Sequence, residues 1–290
     1  MLLALGACGR PATETQQEAP KETGTEAAAA SGGAKEAGQG TPGAVGENDP
    51  VTIPGQGEEA LFAQEPYIPE NLEKAIIGYD DCVEVSPRSY PFACIAYVVA
   101  EAECGCSWTA SGFMVSRYGF MTASHALYCY THEKPIKYLE CYFGYRSPKD
   151  YLYKFNGAFT WWRGVNGPGD AHQNDNDYAY LLLSQPVGDT TGWLGLRAID
   201  DITARNGEFY CAGYRDGVIK ASMAEMTPYC DKLFHHYMDT QGGYSGGPVY
   251  DVEAYVVGIN VAEDYYGTYN VARRITVDLI GQMYDSGIFD

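Results

Sequence analysis

Basic residues are scarce in this chain. Lys and Arg number 19 against 38 Asp and Glu, a formal net charge of −19. A polyanion is repelled by nucleic-acid phosphates and by anionic membrane surfaces, so neither is expected as a partner. Long apolar runs are lacking too. None approaches the roughly 18–20 residues that cross a bilayer, so no spanning helix is expected. Cys-x-x-Cys pairs are absent, which argues against a structural zinc site, and no metal or organic cofactor is expected. From Gly9 to Glu59 there is no aromatic residue, and the only large aliphatics are Val45, Val51 and Ile53. Such a stretch cannot bury enough apolar surface to offset the entropy of ordering, so residues 9–66 read as a disordered linker or pro-segment.

The residues ahead of it, Met1-Leu2-Leu3-Ala4-Leu5-Gly6-Ala7-Cys8, form a short apolar run ending in small residues and a Cys. Leu5-Gly6-Ala7-Cys8 resembles a bacterial lipobox, with Cys8 as the lipidated residue. The expectation is an exported or cell-surface-anchored bacterial protein that meets a membrane only through that anchor, with residues 67–290 as the folded part.

What the folded part has in quantity is Tyr, 25 in the chain, and Gly, 34, a composition of strands and turns. Short apolar runs bounded by Gly, Pro, Asn and Asp predict strands at 92–100, 111–115, 119–123, 136–145, 158–162, 178–183, 208–213, 233–238, 247–250, 255–261 and 268–272. Many short strands at regular spacing predict an all-β sandwich or barrel. Only 276–283 reads as a helix, with Val277, Ile280 and Met283 on one side and Thr276 as its cap. Setting Cys8 aside leaves eight Cys, an even number that favours disulfides in an exported domain. The best local pairing is Cys129–Cys141 across an expected hairpin, followed by Cys211–Cys230.

Three segments carry chemistry. In Gly119-Phe120-Met121-Thr122-Ala123-Ser124-His125 an apolar strand runs into a His. In Asn176-Asp177-Tyr178-Ala179-Tyr180 an Asp opens an apolar strand. In Asp239-Thr240-Gln241-Gly242-Gly243-Tyr244-Ser245-Gly246-Gly247-Pro248 a Ser sits in a glycine-rich turn. A neutral Ser hydroxyl needs a general base within reach, and the base needs an orienting group. His125, Asp177 and Ser245 supply those roles in the order His, Asp, Ser. Gly243-x-Ser245-x-Gly247 also fits a hydrolase elbow, but that motif requires a following helix and a later His, and no His follows Ser245.

With these motifs, the chain from Ile76 onward resembles the trypsin-like serine proteases, and within them the bacterial glutamyl endopeptidases. The likeness includes Ile76-Ile77-Gly78 with Asp80-Asp81, Tyr90-Pro91-Phe92, Ser111-Gly112-Phe113-Met114-Val115, Thr191-Gly192-Trp193-Leu194-Gly195, and Tyr269-Asn270 with Arg274-Ile275-Thr276. The resemblance implies two antiparallel six-stranded β-barrels, at about 75–185 and 195–275, and a short C-terminal helix. It implies a monomeric serine endopeptidase acting on polypeptides, with the N–H groups of Gly243 and Ser245 as oxyanion hole.

The resemblance breaks at the substrate pocket. The glutamyl branch meets an acidic substrate side chain with a Thr five residues before the nucleophile, a His fifteen after it, and the mature N-terminal amine. Thr240 fits the first, but Asn260 stands in place of the His, and Glu263 follows where the branch has small neutral residues. Asp239 stands where trypsin places its Arg- and Lys-binding carboxylate. Ala110 and Ala126 replace the disulfide that brackets the catalytic His. Cleavage after Lys74 would free Ala75, and Tyr244 replaces the Asp with which the new amine pairs in trypsin. These departures imply at most a weak preference for Glu. Two other readings remain: a catalytically silent protease fold that binds a partner, and a surface-tethered binding lipoprotein in which the three residues do not converge.

Overall fold

The computed structural model describes residues 52–53, 55, 82–164, 174–263 and 268–290. Its strands, in chain order, are β1 Thr52–Ile53, β2 Val83–Glu84, β3 Ile95–Ala102, β4 Ser107–Met114, β5 Gly119–Thr122, β6 Tyr128–Cys129, β7 Lys134–Phe143, β8 Tyr153–Phe155, β9 Phe159–Arg163 and β10 Ala179–Leu183. After these come β11 Gly195–Arg197, β12 Phe209–Arg215, β13 Val218–Ala224, β14 Met226–Cys230, β15 Leu233–His236, β16 Pro248–Asp251, β17 Tyr255–Glu263 and β18 Asn270–Arg274. They form two curled sheets. The first runs β6-β7-β3-β4-β5-β10-β9 with β8 also on β7, and the second runs β14-β15-β18-β17-β16-β12-β13-β2 with β11 on β17 and β1 on β11. The fold is all-β and trypsin-like. The strands beyond six in each sheet are mostly pieces of two or three residues.

Side-chain pattern explains the layering. Along β3, Ala96, Val98, Ala100 and Ala102 are buried and alternate with the half-buried Tyr97, Val99 and Glu101, the period of two that a sheet with one covered face requires. Most of β17 is buried, as befits a strand flanked on both sides by β16 and β18. One apolar cluster fills each sheet. A third, with Phe113 and Met121 from the first sheet and Tyr210, Val256 and Ile259 from the second, lies between them. Each large aliphatic or aromatic side chain buried there contributes about 1.5–3 kcal/mol.

Several sequence expectations need correction. Residues 92–94 form a 3-10 turn ahead of β3. Val83–Glu84, assigned to the first barrel, pairs with β13 of the second sheet, where Glu84 faces Lys220, an opposite-charge cross-strand pair that favours this register. Thr52 and Ile53, placed in the disordered linker, pair with Arg197 and Leu196, and Ile53 is buried. The hairpin of β12 and β13 was overlooked, although Asp216-Gly217 is a strong turn signal and both residues adopt positive φ. Two further helices appear, Gly188–Thr191 and Asp201–Asn206; the latter is capped by Asp200, whose side chain accepts from Thr203 N–H at 2.7 Å. Six residues are too few to show a helical period.

The C-terminal helix runs Val277–Asp285 with Thr276 at its N-cap, but Leu279 takes the buried place expected of Val277, which is exposed. Neither expected disulfide forms, because Cys129, Cys141 and Cys211 are free thiols. Cys129 faces Lys134, and Cys141 lies seven residues farther along β7, roughly 20 Å away at the rise of a strand and far beyond a disulfide's reach. Cys211 and Cys230 lie on β12 and β14, with four strands between them. Most of residues 1–81, including Cys8, Lys74 and Ile76, lies outside the described residues.

Candidate active site

The strand β5 ends at Thr122. Ala123 stays extended, and a 3-10 turn over Ser124–Leu127 then lifts His125 out of the sheet. Asp177 arrives from a different direction, after the 3-10 turn Asn174–Asn176 and just before β10. Because β10 pairs with β5, with Ala179 opposite Thr122, the two side chains meet at the same end of two neighbouring strands. Asp177 is buried. Its Oδ2 lies 2.6 Å from His125 Nδ1, and its Oδ1 accepts the His125 backbone N–H at 3.0 Å. Burial works against the charged imidazole, but the charge and hydrogen bond of Asp177 outweigh it and hold the His125 pKa above its ordinary value. Asp175 takes no part: it is half-buried, and its carbonyl accepts from Arg273 Nε at 2.6 Å. Arg273, itself buried beneath the Tyr178 ring, thereby anchors the Asp177 loop.

The Ser245 turn is held mostly by backbone. Ser245 C=O accepts from Ser111 N–H at 2.8 Å, Gly246 N–H donates to Asn260 C=O at 2.8 Å, and Asn260 N–H donates to Gly247 C=O at 2.9 Å. The Ser111 hydroxyl donates to Gly243 C=O and accepts from Tyr214 N–H, both at 2.8 Å. Gly243 has φ +105°, and a Cβ there would stand 2.5 Å from Tyr214 C=O, so the position is closed to other residues. A Cβ on Gly246 would stand 2.1 Å from Thr122 Oγ1 and 2.8 Å from Ala123 N. That approach sets the Ser245 turn directly against the strand end that carries His125. Among the described residues, the N–H groups of Gly243 and Ser245 donate to no protein acceptor, and Ser245 Oγ makes no hydrogen bond to His125.

The expected pocket residues lie on β17 and in the segment after β15. Asn260 is buried on β17, and its Oδ1 lies 3.2 Å from Nε2 of the fully buried His236. Asp239 donates its N–H to Ser222 Oγ, and its C=O accepts from Cys82 Sγ. Thr240 is half-buried beside it, and Glu263 sits at the exposed end of β17 opposite Asn270. Desolvation drives the His236 pKa down to about 4, opposed by its hydrogen bond with Asn260.

Sequence reasoning missed Ser111 as a positioning group, His236 and Arg273. It also missed a cluster of Cys104, Cys106, Cys129 and His132, whose potential ligand atoms all lie within 4.8 Å of one another. The expectation of no metal site rested on the missing Cys-x-x-Cys pairs. The signal present was Cys104-x-Cys106 followed by Cys129-x-x-His132.

Residues 110–259 match the family model of the trypsin-like peptidase domain. The extracellular metalloprotease of Bacillus subtilis (strain 168) is 23% identical over 289 residues, covering 94% of this chain and 88% of its own length. Among solved structures, a Glu endopeptidase in complex with MPD superposes with a TM-score of 0.61 at 21% identity, over 73% of this chain and 98% of its own. Protease Anisep from Arthrobacter nicotinovorans gives 0.57 at 16% identity, over 71% and 98%. A scabies mite inactivated protease paralogue gives 0.57 at 15% identity, over 71% and 99%. These structures share the fold. The family match spans more than half of the chain and contains both His125 and Ser245, so the chain belongs to the trypsin-like peptidases, a family of serine peptidases.

Proposed function

We propose that the protein is an active serine endopeptidase working through His125, Asp177 and Ser245. The observation that carries this is the two-oxygen grip of Asp177 on His125. Fold alone would not suffice, since one structural neighbour is described as an inactivated paralogue. With Nδ1–H committed to Asp177, His125 presents Nε2 as the base. Ser245 Oγ loses its proton to that nitrogen as it attacks the substrate carbonyl. The tetrahedral oxyanion is met by the uncommitted N–H groups of Gly243 and Ser245, an interaction worth about 10²–10³ in kcat per donor in comparable sites. The His125 imidazolium then protonates the leaving amine, and water deacylates the enzyme by the reverse sequence. Hydrolysis of an unfolded protein substrate tests this. Ser245→Ala is expected to abolish it with the circular dichroism spectrum unchanged, and wild-type activity in that variant would refute the assignment.

For specificity, the reading is at most a weak preference for Glu. Asn260 carries no charge, and its oxygen is turned to His236. Burial keeps His236 neutral at pH 7, so this pair presents no positive charge to a carboxylate. A peptide-library cleavage profile is the check. Export with lipidation at Cys8 and processing after Lys74 complete the proposal on sequence grounds. Intact-mass measurement of the membrane fraction tests the lipidation, and N-terminal sequencing of released, soluble protein tests for a start at Ala75.

A further inference from the structure

We propose that Cys104, Cys106, Cys129 and His132 bind one zinc ion that staples two hairpin turns of the first sheet together. Cys104 and Cys106 flank Gly105 in the turn between β3 and β4. That turn is closed by Ala102 N–H to Cys106 C=O at 2.8 Å and Gly105 N–H to Ala102 C=O at 2.9 Å. Gly105 adopts φ +85°, which turns the chain sharply enough for both thiols to face the same point. Cys129 ends β6, and His132 lies in the turn leading to β7. Glu103 N–H donates to Pro135 C=O at 3.1 Å, which fastens one turn to the base of the other.

The spacing fits a tetrahedral ion. Zinc–sulfur bonds of about 2.3 Å and zinc–nitrogen bonds of about 2.0–2.1 Å place ligand atoms roughly 3.5–3.8 Å apart. His132 Nδ1 lies 3.3 Å from Cys106 Sγ and 3.5 Å from Cys129 Sγ, and no ligand pair exceeds 4.8 Å. Three thiols and an imidazole form a soft, four-donor set of the kind that selects zinc. A disulfide would use two of the thiols and strand the third, whereas a metal engages all four groups. On binding, the three thiols release their protons to solvent and the imidazole coordinates through Nδ1, leaving a site of net charge −1. Four protein ligands leave no open position for substrate or water, which marks a structural site and not a catalytic one. Cys129 follows His125 by four residues in the chain, and Trp108 Nε1 in β4 donates to Ala126 C=O at 3.0 Å. The ion would therefore brace the segment that carries the His against the β3–β4 hairpin.

Titration of the full-length, reduced protein with Co²⁺ under anaerobic conditions tests the proposal without reference to activity. The expected result is thiolate-to-cobalt charge-transfer bands and intense visible bands that saturate at one equivalent and vanish on adding one equivalent of Zn²⁺. The double variant Cys104→Ser/Cys106→Ser should lose these bands, and Cys82→Ser, outside the cluster, should keep them. Should the double variant fail to fold, alkylation of the wild type gives the same answer: Zn²⁺ should protect three thiols, identified by peptide mapping as Cys104, Cys106 and Cys129. Absence of stoichiometric bands, bands undiminished in the double variant, or a disulfide among these three Cys in the purified protein would overturn it.

Discussion

Asp177 holds His125 through separate oxygens, one on the ring nitrogen and one on the backbone N–H, so it fixes both the tautomer and the position of the turn. Asp177→Asn keeps one acceptor oxygen but places an amide donor against a ring nitrogen that must itself donate. The expected loss is the roughly 10⁴ in kcat typical of that change in a Ser-His-Asp triad. Asp175→Asn leaves the Asp175 carbonyl on Arg273 untouched, so kcat should stay within a few-fold of wild type. Steady-state kinetics on the two variants checks the pair, and the reverse pattern would mean the wrong carboxylate. The residues proposed as catalytic stood out as candidates in the sequence because each sits in a local motif next to an apolar strand. His236 was not. It meets Asn260 across the intervening strand β18, twenty-four positions apart in the chain, and a lone His beside another in Leu233-Phe234-His235-His236 carries no spacing signal. The Cys and His cluster escaped for the same reason, since its two halves are brought together by hairpin register and not by proximity in sequence.

At the scale of elements, β15, β17 and β18 share a buried polar seam. His236 pairs with Asn270 in register, Asn260 reaches His236, and Asn270 Nδ2 donates to Met238 C=O at 2.8 Å. This seam makes the second sheet sensitive to acid. The His236 pKa is depressed from its ordinary 6.5 to about 4, first by desolvation. Between those values the unfolded chain binds a proton that the folded chain refuses, so stability is full above about pH 6.5 and falls as the pH drops toward 4. The whole effect is on the order of 3 kcal/mol. Chemical denaturation at several pH values should show this slope, and His236→Gln, which retains a donor for Asn260, should flatten it. An unchanged slope in the variant would assign the acid sensitivity elsewhere. Element boundaries were less legible than element types. Short strands such as β6, β8 and β11 and the six-residue helix Asp201–Asn206 are defined by partners, caps and edges, and a short window shows no period.

Across the whole molecule, the apolar cluster between the two sheets is supplemented by specific hydrogen bonds. Ser111 of the first sheet ties down the Ser245 turn of the second. The C-terminal helix returns to the first sheet, where Tyr178 OH donates to Gln282 Oε1 at 3.1 Å and Ser116 Oγ donates to Ile288 C=O at 2.5 Å. The segment ahead of the folded part contributes as well, through Ile53 buried against β11 of the second sheet. Its docking was illegible because one buried side chain cannot be told from its composition-poor surroundings. Replacing Ile53→Asp should lower stability by about 1.5–3 kcal/mol, the worth of that burial, and thermal unfolding of the variant should show the corresponding drop in Tm. Convergence of His125, Asp177 and Ser245 on one activated hydroxyl is the core of the proposed activity. The most direct measurement is reaction with a fluorophosphonate followed by peptide mapping, in the wild type and in His125→Ala. The expected result is a single adduct on Ser245 that disappears in the His125 variant; an adduct at another residue, or one that forms equally fast without His125, would refute the triad.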